Sequence, residues 1–238
     1  MEADAMRIFG KGFNYRQDGP GNRLVYHLSG CNMKCIWCSN PEGMDPLVGK
    51  EYTIDELFCE CKSCVPMFFD GGGVTFTGGE ATLQAEQLIT LLKLLRKDGI
   101  NTCVETNGTG KRLLEISSYV DYLIMDFKHF DCDALKKYTG VGNEIIKENF
   151  KKLCQSGRQL HIRIPLINEI NSMDPVSFAE FFSSEDTQNV VFEFLPYHEY
   201  GRDKWKTEYK VKNGFITPEQ LKNFYTTFEN YGLKTVST

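Results

Sequence analysis

The 238-residue sequence has no uninterrupted apolar stretch long enough to span a lipid bilayer, so we expect no contact with a membrane. Its first segment, MEADAMRIFGKGFNY, lacks the apolar core of a secretory signal peptide, and we therefore expect a cytoplasmic protein. Basic charge is not in excess either: 27 basic against 32 acidic residues argue against a nucleic-acid partner. Repeats and low-complexity linkers are also missing, which predicts a single domain over residues 1–238.

Cysteine, by contrast, is abundant. In a reducing compartment, nine cysteines indicate metal or redox chemistry more than disulfides. Six of them form two groups, Cys31/Cys35/Cys38 and Cys59/Cys61/Cys64. The scattered Cys103, Cys132 and Cys154 are expected to be structural, because free cysteine packs as a small apolar residue.

Short apolar runs alternate with segments of helical spacing along the whole chain. The runs predicted as buried strands are 24–30, 73–78, 102–107, 122–127, 160–166 and 190–196. The segments predicted as helices are 85–99, 110–120, 143–157, 174–184 and 217–232. Repeated βα units predict a six-stranded parallel sheet in an α/β fold, namely an incomplete (β/α)6 TIM-type barrel. In such barrels the chemistry lies at the C-terminal ends of the strands.

The first cysteine group directly follows the first predicted strand. A four-iron cluster normally takes four thiolates, so the three thiols of Cys31, Cys35 and Cys38 would leave one iron open for a substrate. Two alternatives remain. A zinc site would take its fourth ligand from His27 or from the second cysteine group, and the three thiols could also be incidental.

The spacing CxxxCxxC, with Trp37 before the third cysteine, resembles the signature of the radical S-adenosylmethionine (SAM) superfamily. Within it, the chain most resembles the activating enzymes of glycyl radical enzymes. The resemblance covers nearly the whole chain through a set of motifs in order: DGPG (18–21), SNPEG (39–43), GGGVTFTGGEA (71–81), ETNG (105–108), IMDFK (124–128), HIRIPL (161–166) and LPYHEYGRDKW (195–205).

This resemblance implies a [4Fe–4S] cluster held by the three cysteines, with SAM beside it. In the resembled enzymes the Gly-Gly-Glu motif, here Gly78, Gly79 and Glu80, binds the methionyl amine of SAM. From the residues alone, the glycines would allow close approach of a ligand, or the motif would be a turn with a solvated acid.

Further cofactor residues are implied at later strand ends. Asp126 and Lys128 share one face of the fourth strand, as a structural ion pair or as part of a polar ligand site. The resemblance assigns Lys128, Arg163 and His198 to the SAM carboxylate, ribose and adenine, although His198 taken singly would be a structural histidine. The remaining implied SAM contacts, both flanking the adenine, are Trp37 and Asn40.

The resemblance also implies a monovalent cation at Glu105, Thr106 and Asp126, where the related enzymes usually have aspartate at the first position. The protein substrate would be the glycine loop of a glycyl radical enzyme, with Asp18 at its entrance, although DGPG is also an ordinary turn signal. A flavodoxin- or ferredoxin-type protein would donate the electron. We expect a monomer.

Two departures bear on the target and on a second metal site. SNPEG replaces the His-Asn that pyruvate formate-lyase activators tend to show, and resembles activators of other glycyl radical enzymes. Those commonly carry extra clusters before GGGVT, where this chain has only Cys59, Cys61 and Cys64. The helical start YTIDEL predicts a helix there, which favours unligated thiols over an auxiliary site.

Two rival functions stay open. One is a radical SAM enzyme that modifies a small molecule or a peptide. The other is a non-enzymatic electron-transfer or zinc-stabilised binding protein, in which Glu80 and the Asp126–Lys128 pair would have no purpose.

Overall fold

A computed structural model describes residues 4–237 of the chain. These residues divide into two compact units: 4–32 with 42–124, and 33–41 with 125–237. The single domain expected from the sequence stays a prediction. Among residues 4–237, no helix has the length and apolar character needed to cross a membrane.

The first unit contains five strands and three helices. They are β1 Ala5–Tyr15, β2 Asn22–Leu28, β3 Lys50–Thr53, α1 Ile54–Ser63, β4 Gly73–Gly78, α2 Ala85–Lys97, β5 Thr102–Thr106 and α3 Leu113–Ser117. The strands follow the order β3-β1-β2-β4-β5. β1 is antiparallel to both β2 and β3, whereas β2, β4 and β5 are parallel, so their C-terminal ends share one edge.

A sixth strand, β6 Tyr122–Asp126, begins in the first unit and ends in the second. The remaining elements of the second unit are α4 Cys132–Thr139, α5 Glu144–Gln155, β7 Leu160–Leu166, α6 Pro175–Ser183, β8 Val190–Pro196, α7 Pro218–Asn230 and β9 Thr235–Val236. β7 pairs in parallel with β8 from Leu160 opposite Val190 to Leu166 opposite Pro196, and β9 extends the pairing on the other side of β8.

Local sequence explains where the helices begin and end. α7 begins at a capping box, in which the Thr217 hydroxyl accepts from the main chain of Gln220 and the Gln220 side chain accepts from that of Thr217. α2 buries Leu88, Leu91, Leu92 and Leu95 on one face, as the leucine spacing predicts. In the second unit, phenylalanines of strands and helices interlock. Phe182 of α6, for example, lies 4.7 Å from Phe192 of β8, centroid to centroid.

All six predicted strands are present within two residues of their predicted bounds, and the α/β fold with parallel strands is confirmed. The predicted helix 110–120 is shorter, Leu113–Ser117, and α4 was not predicted. β1, β3 and β9 are additional strands. β1 escapes a search for apolar runs because its second half, after Ile8, is mostly exposed and includes Gly10 and Gly12.

Candidate cofactor site

Cys31 lies three residues beyond the end of β2, and backbone hydrogen bonds fix the approach to it. Gly30 N–H donates to the Gly43 carbonyl at 2.9 Å, and Glu80 N–H donates to the Gly30 carbonyl at 2.7 Å. The side-chain Nδ2 of Asn107 lies 3.9 Å from Cys31 Sγ. The start of the cysteine loop is therefore tied to the ends of β4 and β5, which is the strand edge where the sequence predicted the chemistry.

Glu80 is a buried carboxylate, 1% exposed, directly after β4. Its Oε1 accepts from the Thr82 main chain at 3.0 Å, the Thr82 hydroxyl at 2.5 Å and the Thr106 hydroxyl at 2.6 Å. Its Oε2 accepts from Asn107 N–H at 2.6 Å. These neutral donors fix the orientation of the buried Glu80 carboxylate. A carboxylate is the kind of group that pairs with an ammonium ligand.

Gly78 and Gly79 are required by backbone packing. Gly78 has φ +119°, and a Cβ there would lie 2.3 Å from the main-chain nitrogen of Leu28. A Cβ on Gly79 would lie 2.1 Å from the Gly30 carbonyl oxygen. The close approach seen in this structure is therefore of backbone to backbone, whereas the sequence interpretation attributed it to a ligand.

Glu105 and Thr106 end β5, with different surroundings. The half-buried Glu105 accepts from the Thr77 hydroxyl at 2.8 Å. The Thr106 hydroxyl donates to Glu80 and accepts from Gly108 N–H at 3.1 Å. Thr106 therefore belongs to the Glu80 network.

Asp18 lies in the turn between β1 and β2. Its carboxylate accepts from the Asn14 amide, and its main-chain carbonyl accepts from the Thr75 hydroxyl at 2.6 Å. The guanidinium of Arg23, fully buried, donates to Thr75 Oγ1 at 2.7 Å and to the Pro20 carbonyl at 3.1 Å, and burial lowers its pKa. The DGPG turn is thus anchored to β2 and β4.

The rest of the cysteine loop belongs to the second unit. Lys34 N–H donates to the Thr139 carbonyl at 2.7 Å, and Ile36 N–H donates to the Tyr138 carbonyl at 3.2 Å, both at the end of α4. Cys38 N–H donates to the Cys35 carbonyl at 3.1 Å, which makes the turn that brings these two cysteines near each other. The unpredicted helix α4 therefore serves as the support of this segment.

Trp37 and Asn40 have protein partners in the second unit. Trp37 packs against the buried cluster of Ile167, Tyr197 and Val211. The Asn40 side-chain carbonyl accepts from Lys204 Nζ at 2.7 Å. The next residue, Trp205, donates its indole N–H to the Cys38 carbonyl at 3.0 Å. The LPYHEYGRDKW segment thus holds the end of the cysteine loop.

Charged pairs occur at two levels in the strands of the second unit. Asp126 ends β6, whereas Arg163 lies at the middle of β7 and not at the strand end where the sequence placed it. Lys128 Nζ lies 2.5 Å from Asp126 Oδ2, and the lysine side chain is 12% exposed. On the neighbouring strands, Arg163 Nε lies 2.7 Å from Oε2 of Glu193, which is fully buried. His161 Nε2 lies 3.0 Å from the same oxygen. The Lys128–Asp126 and Arg163–Glu193 pairs satisfy the requirement that buried charge be compensated.

His198 follows β8 and is exposed at the surface. Its ring stacks on Tyr200 at 4.3 Å, and Nδ1 accepts from Tyr200 N–H at 3.4 Å. Desolvation by the surrounding chain lowers the pKa of His198, which favours the neutral imidazole.

Sequence reasoning missed several residues of these networks. Thr82 and Asn107 donate to Glu80, Asn32 and Thr109 hold the Asn107 amide, and Glu193 pairs with Arg163. Asn107 stands in the quoted motif ETNG, so its position was available. Glu193 is the one charged residue in the run VVFEFLP, and a lone charge in a buried strand is a signal for a partner on the next strand.

Helix α1 places the cysteines of the second group in different environments. α1 continues to Ser63, with Cys59 exposed and Cys61 fully buried. Burial raises the pKa of Cys61 to about 12, so it is a thiol at neutral pH.

Within residues 4–237, no three His, Cys, Asp or Glu side chains are arranged to hold a metal ion. In a four-iron cube each thiolate binds a separate iron, so cluster ligands need not meet at one point.

The donor set of the first group fits an iron–sulfur cluster. None of the nine cysteines forms a disulfide, and soft thiolates are the ligands that such clusters take. The amide of Asn107 offers a hydrogen bond to Cys31 Sγ, as is typical around cluster sulfurs. Glu80, held by three neighbouring residues, fits the amine of SAM.

Comparison with known proteins gives consistent results. The family model described as the radical SAM superfamily matches residues 25–182. The chain is 35% identical over 203 residues to the pyruvate formate-lyase-activating enzyme of Clostridium pasteurianum, covering 82% of this chain and 85% of that one. It is 33% identical over 228 residues to the pyruvate formate-lyase 1-activating enzyme of Escherichia coli K12, covering 91% and 92%.

Solved structures agree on the fold. A crystal structure of a domain of pyruvate-formate lyase-activating enzyme from Bacteroides vulgatus has a TM-score of 0.60 at 29% identity, covering 71% of this chain and 99% of that one. Streptococcus suis SuiB bound to S-adenosylmethionine has a TM-score of 0.68 at 15% identity, covering 90% and 49%, a likeness of fold alone.

Proposed function

Because the chain belongs to the radical SAM superfamily and, within it, to the pyruvate formate-lyase-activating enzymes, we propose that it installs a glycyl radical on a partner enzyme. The partner is pyruvate formate-lyase or a related glycyl radical enzyme. The observation that carries the proposal is the network in which Glu80 and Cys31 share Asn107 as a hydrogen-bond partner. It joins the proposed amine-binding carboxylate to a proposed cluster ligand.

The family implies a [4Fe–4S] cluster and SAM, and we assign the cluster to Cys31, Cys35 and Cys38. When bound, the cluster and SAM would supply the radical chemistry, namely reductive cleavage of SAM and removal of a hydrogen atom from a glycine Cα. The chain's own residues would bind the cluster and SAM and orient them. Glu80 would accept from the methionyl amine, and neutral donors keep that carboxylate in place.

Residues of the second unit would hold the remaining parts of SAM. Lys128 and Arg163 would lie near the carboxylate and ribose of SAM. Each of these basic side chains is paired with an acidic side chain of the protein, which keeps it oriented. His198, Trp37 and Asn40 would lie at the adenine. The lowered pKa of His198 favours its neutral imidazole there. Gly78 and Gly79 let the main chain before Glu80 pass close to the cysteine loop.

The protein substrate and the electron donor complete the proposal. Asp18, in a turn anchored through Thr75 and Arg23, would bind the glycine loop. A flavodoxin- or ferredoxin-type donor suits the exposed basic side chains of Lys204 and Lys206, in the segment that holds Cys38. A monovalent cation at Glu105, Thr106 and Asp126 would balance the acidic charge of the two carboxylates. We further propose that the protein is a monomer and that it is cytoplasmic, because nine cysteines without a disulfide suit a reducing compartment.

The test is anaerobic reconstitution with iron and sulfide, followed by incubation with SAM, reductant and purified pyruvate formate-lyase. We expect 5′-deoxyadenosine by chromatography and a protein-based doublet by electron paramagnetic resonance (EPR). Glu80→Gln should weaken SAM binding by about 10- to 100-fold, because a charge-assisted hydrogen bond is lost. Glu115→Gln, which changes an exposed carboxylate paired with Arg112, serves as the matched control.

The outcomes separate the rival functions. 5′-Deoxyadenosine without a doublet on any glycyl radical enzyme would indicate a radical SAM enzyme that modifies a small molecule or a peptide. A fully iron-loaded protein that leaves SAM intact would contradict the proposal and favour an electron-transfer protein.

A further inference from the structure

The side-chain amide of Asn107 is held at both ends. Nδ2 lies 2.9 Å from Asn32 Oδ1 and 3.9 Å from Cys31 Sγ, whereas Oδ1 accepts from Thr109 N–H at 3.0 Å and from the Thr109 hydroxyl at 2.6 Å. Asn32 completes the ring of contacts, because its own Nδ2 donates to Thr109 Oγ1 at 2.8 Å. Asn107 is 6% exposed, so these protein groups are its main partners.

These contacts determine which end of the amide faces the sulfur. A main-chain N–H can only donate, so the atom that faces Thr109 N–H must be the amide oxygen. The nitrogen therefore faces Cys31 Sγ and Asn32 Oδ1, and it has one proton for each. The reverse orientation would put oxygen against oxygen at Asn32 and nitrogen against a donor at Thr109.

The main chain of the same residue serves the other half of the site. Asn107 N–H donates to Glu80 Oε2 at 2.6 Å. Building on the function proposed above, we propose that Asn107 is a positioning residue that joins the cluster to the SAM site. Its side chain donates to the sulfur of Cys31, and its main chain orients the carboxylate of Glu80.

The expected consequence is a higher reduction potential. One-electron reduction adds negative charge to the cluster and its thiolates, so a donor to Cys31 Sγ stabilises the reduced form more than the oxidised form. Loss of the donor should make reduction harder. Because the N–H to Glu80 belongs to the main chain, substitution of the side chain should affect SAM affinity much less than the potential.

The experiment is an EPR-monitored redox titration of the reconstituted protein without SAM, which reads the cluster directly and needs no turnover. Asn107→Asp keeps the shape but replaces the donor with an acceptor. We expect the reduced fraction at a fixed potential to fall about tenfold, a shift of about 59 mV to more negative values for one electron. SAM affinity, measured separately by equilibrium binding, should be largely retained.

Asn143→Asp is the matched control. Asn143 is a buried asparagine of the second unit whose Nδ2 donates to the His129 and Phe130 carbonyls. This variant should lose stability but keep the parent potential. If Asn107→Asp does not assemble a cluster, Thr109→Val removes a hydroxyl that holds the Asn107 amide, and should shift the potential in the same direction by less.

An iron-loaded Asn107→Asp protein, or an iron-loaded Thr109→Val protein in its place, with the parent potential would overturn the inference. The inference and the proposed function fail separately. If the parent protein shows no reducible cluster, the proposed function is wrong. If the parent cluster is reducible and the substitutions leave its potential unchanged, only the role of Asn107 is wrong.

Discussion

The two groups of three cysteines have similar spacing and different backbones. Cys31, Cys35 and Cys38 lie in a stretch without helix or strand, between β2 and the 3₁₀ turn that starts at Pro41. Cys59 and Cys61 lie within α1, with Cys64 as its C-cap. At 3.6 residues per turn, a separation of two residues rotates side chains by about 200°, so Cys59 and Cys61 face opposite ways. This difference in backbone conformation is the reason that we propose the loop group, and not the helix group, as the cluster ligands.

The largest effect should follow loss of a loop cysteine. Cys35→Ala removes a proposed thiolate ligand, and we expect loss of bound iron and of SAM cleavage. The measurements are iron and sulfide per chain and 5′-deoxyadenosine formation. Cys154→Ala is the control, since Cys154 is about as buried in the same unit, at 8% against 7% exposed. Equal iron content in the two variants would show that Cys35 of the loop is not a cluster ligand.

The triple variant Cys59→Ala, Cys61→Ala, Cys64→Ala tests the helix group. We expect unchanged iron, with a loss of stability of about 1–3 kcal/mol because the buried Cys61 side chain leaves a cavity. Chemical denaturation of the apoprotein measures the stability. Cys59→Ala alone, at an exposed position, should reproduce little of the loss. A drop in iron stoichiometry would instead reveal an auxiliary cluster.

Alkaline pH should destabilise the protein partly through Cys61. Its pKa is raised from 9.0 to about 12 by burial, so above pH 9 the unfolded chain releases this proton before the folded chain does. The contribution of Cys61 to stability is therefore complete below pH 9 and is lost as pH rises towards 12, by up to about 1.4 kcal/mol per pH unit.

The measurement is urea unfolding of the apoprotein between pH 8.5 and 10.5, a range chosen as roughly bracketing the thiol pKa of unfolded chains. Cys61→Ala should flatten the dependence. Cys154, whose pKa burial also raises to about 12, should contribute in the same way, and Cys154→Ala provides the comparison. An unchanged slope in Cys61→Ala would mean that its thiol is solvated in the folded protein.

The smallest effect should come from Cys59. As an exposed thiol it should react with iodoacetamide in the native protein, while Cys61 stays protected until unfolding. Cys59→Ser should change stability by less than about 0.5 kcal/mol. Mass spectrometry of peptides after timed labelling reads both sites. Labelling of Cys61 at the rate of Cys59 would show that α1 opens readily.

The prediction from sequence succeeded where a single segment carries its own signal. The six runs from 24–30 to 190–196 are apolar because parallel strands are buried on both faces, and each is a strand. Thr217 and Pro218 mark the start of α7 by local capping chemistry. β1 and α4 carry no such local signal and were not predicted. β1 depends on antiparallel pairing with β2 and β3, and α4 has a short apolar face.

For the site, the sequence supplied the charged and thiol residues but not the partners that orient them. The motif around Glu80 suggested a carboxylate for the SAM amine, yet nothing local indicates that Thr106 and Asn107 hold it. Glu193 lies 30 positions from Arg163, and only the register of β7 against β8 places them opposite each other.

The sequence by itself determined the six buried parallel strands, most of the helices and the family, because periodicity, capping and motif spacing are local. Tertiary structure alone decided that Asn107 contacts Cys31 Sγ and Glu80, that Arg163 pairs with Glu193, and that Cys61 is buried. The reason is that hydrogen bonds and burial depend on distances between segments far apart in the chain, which only sheet pairing and packing define.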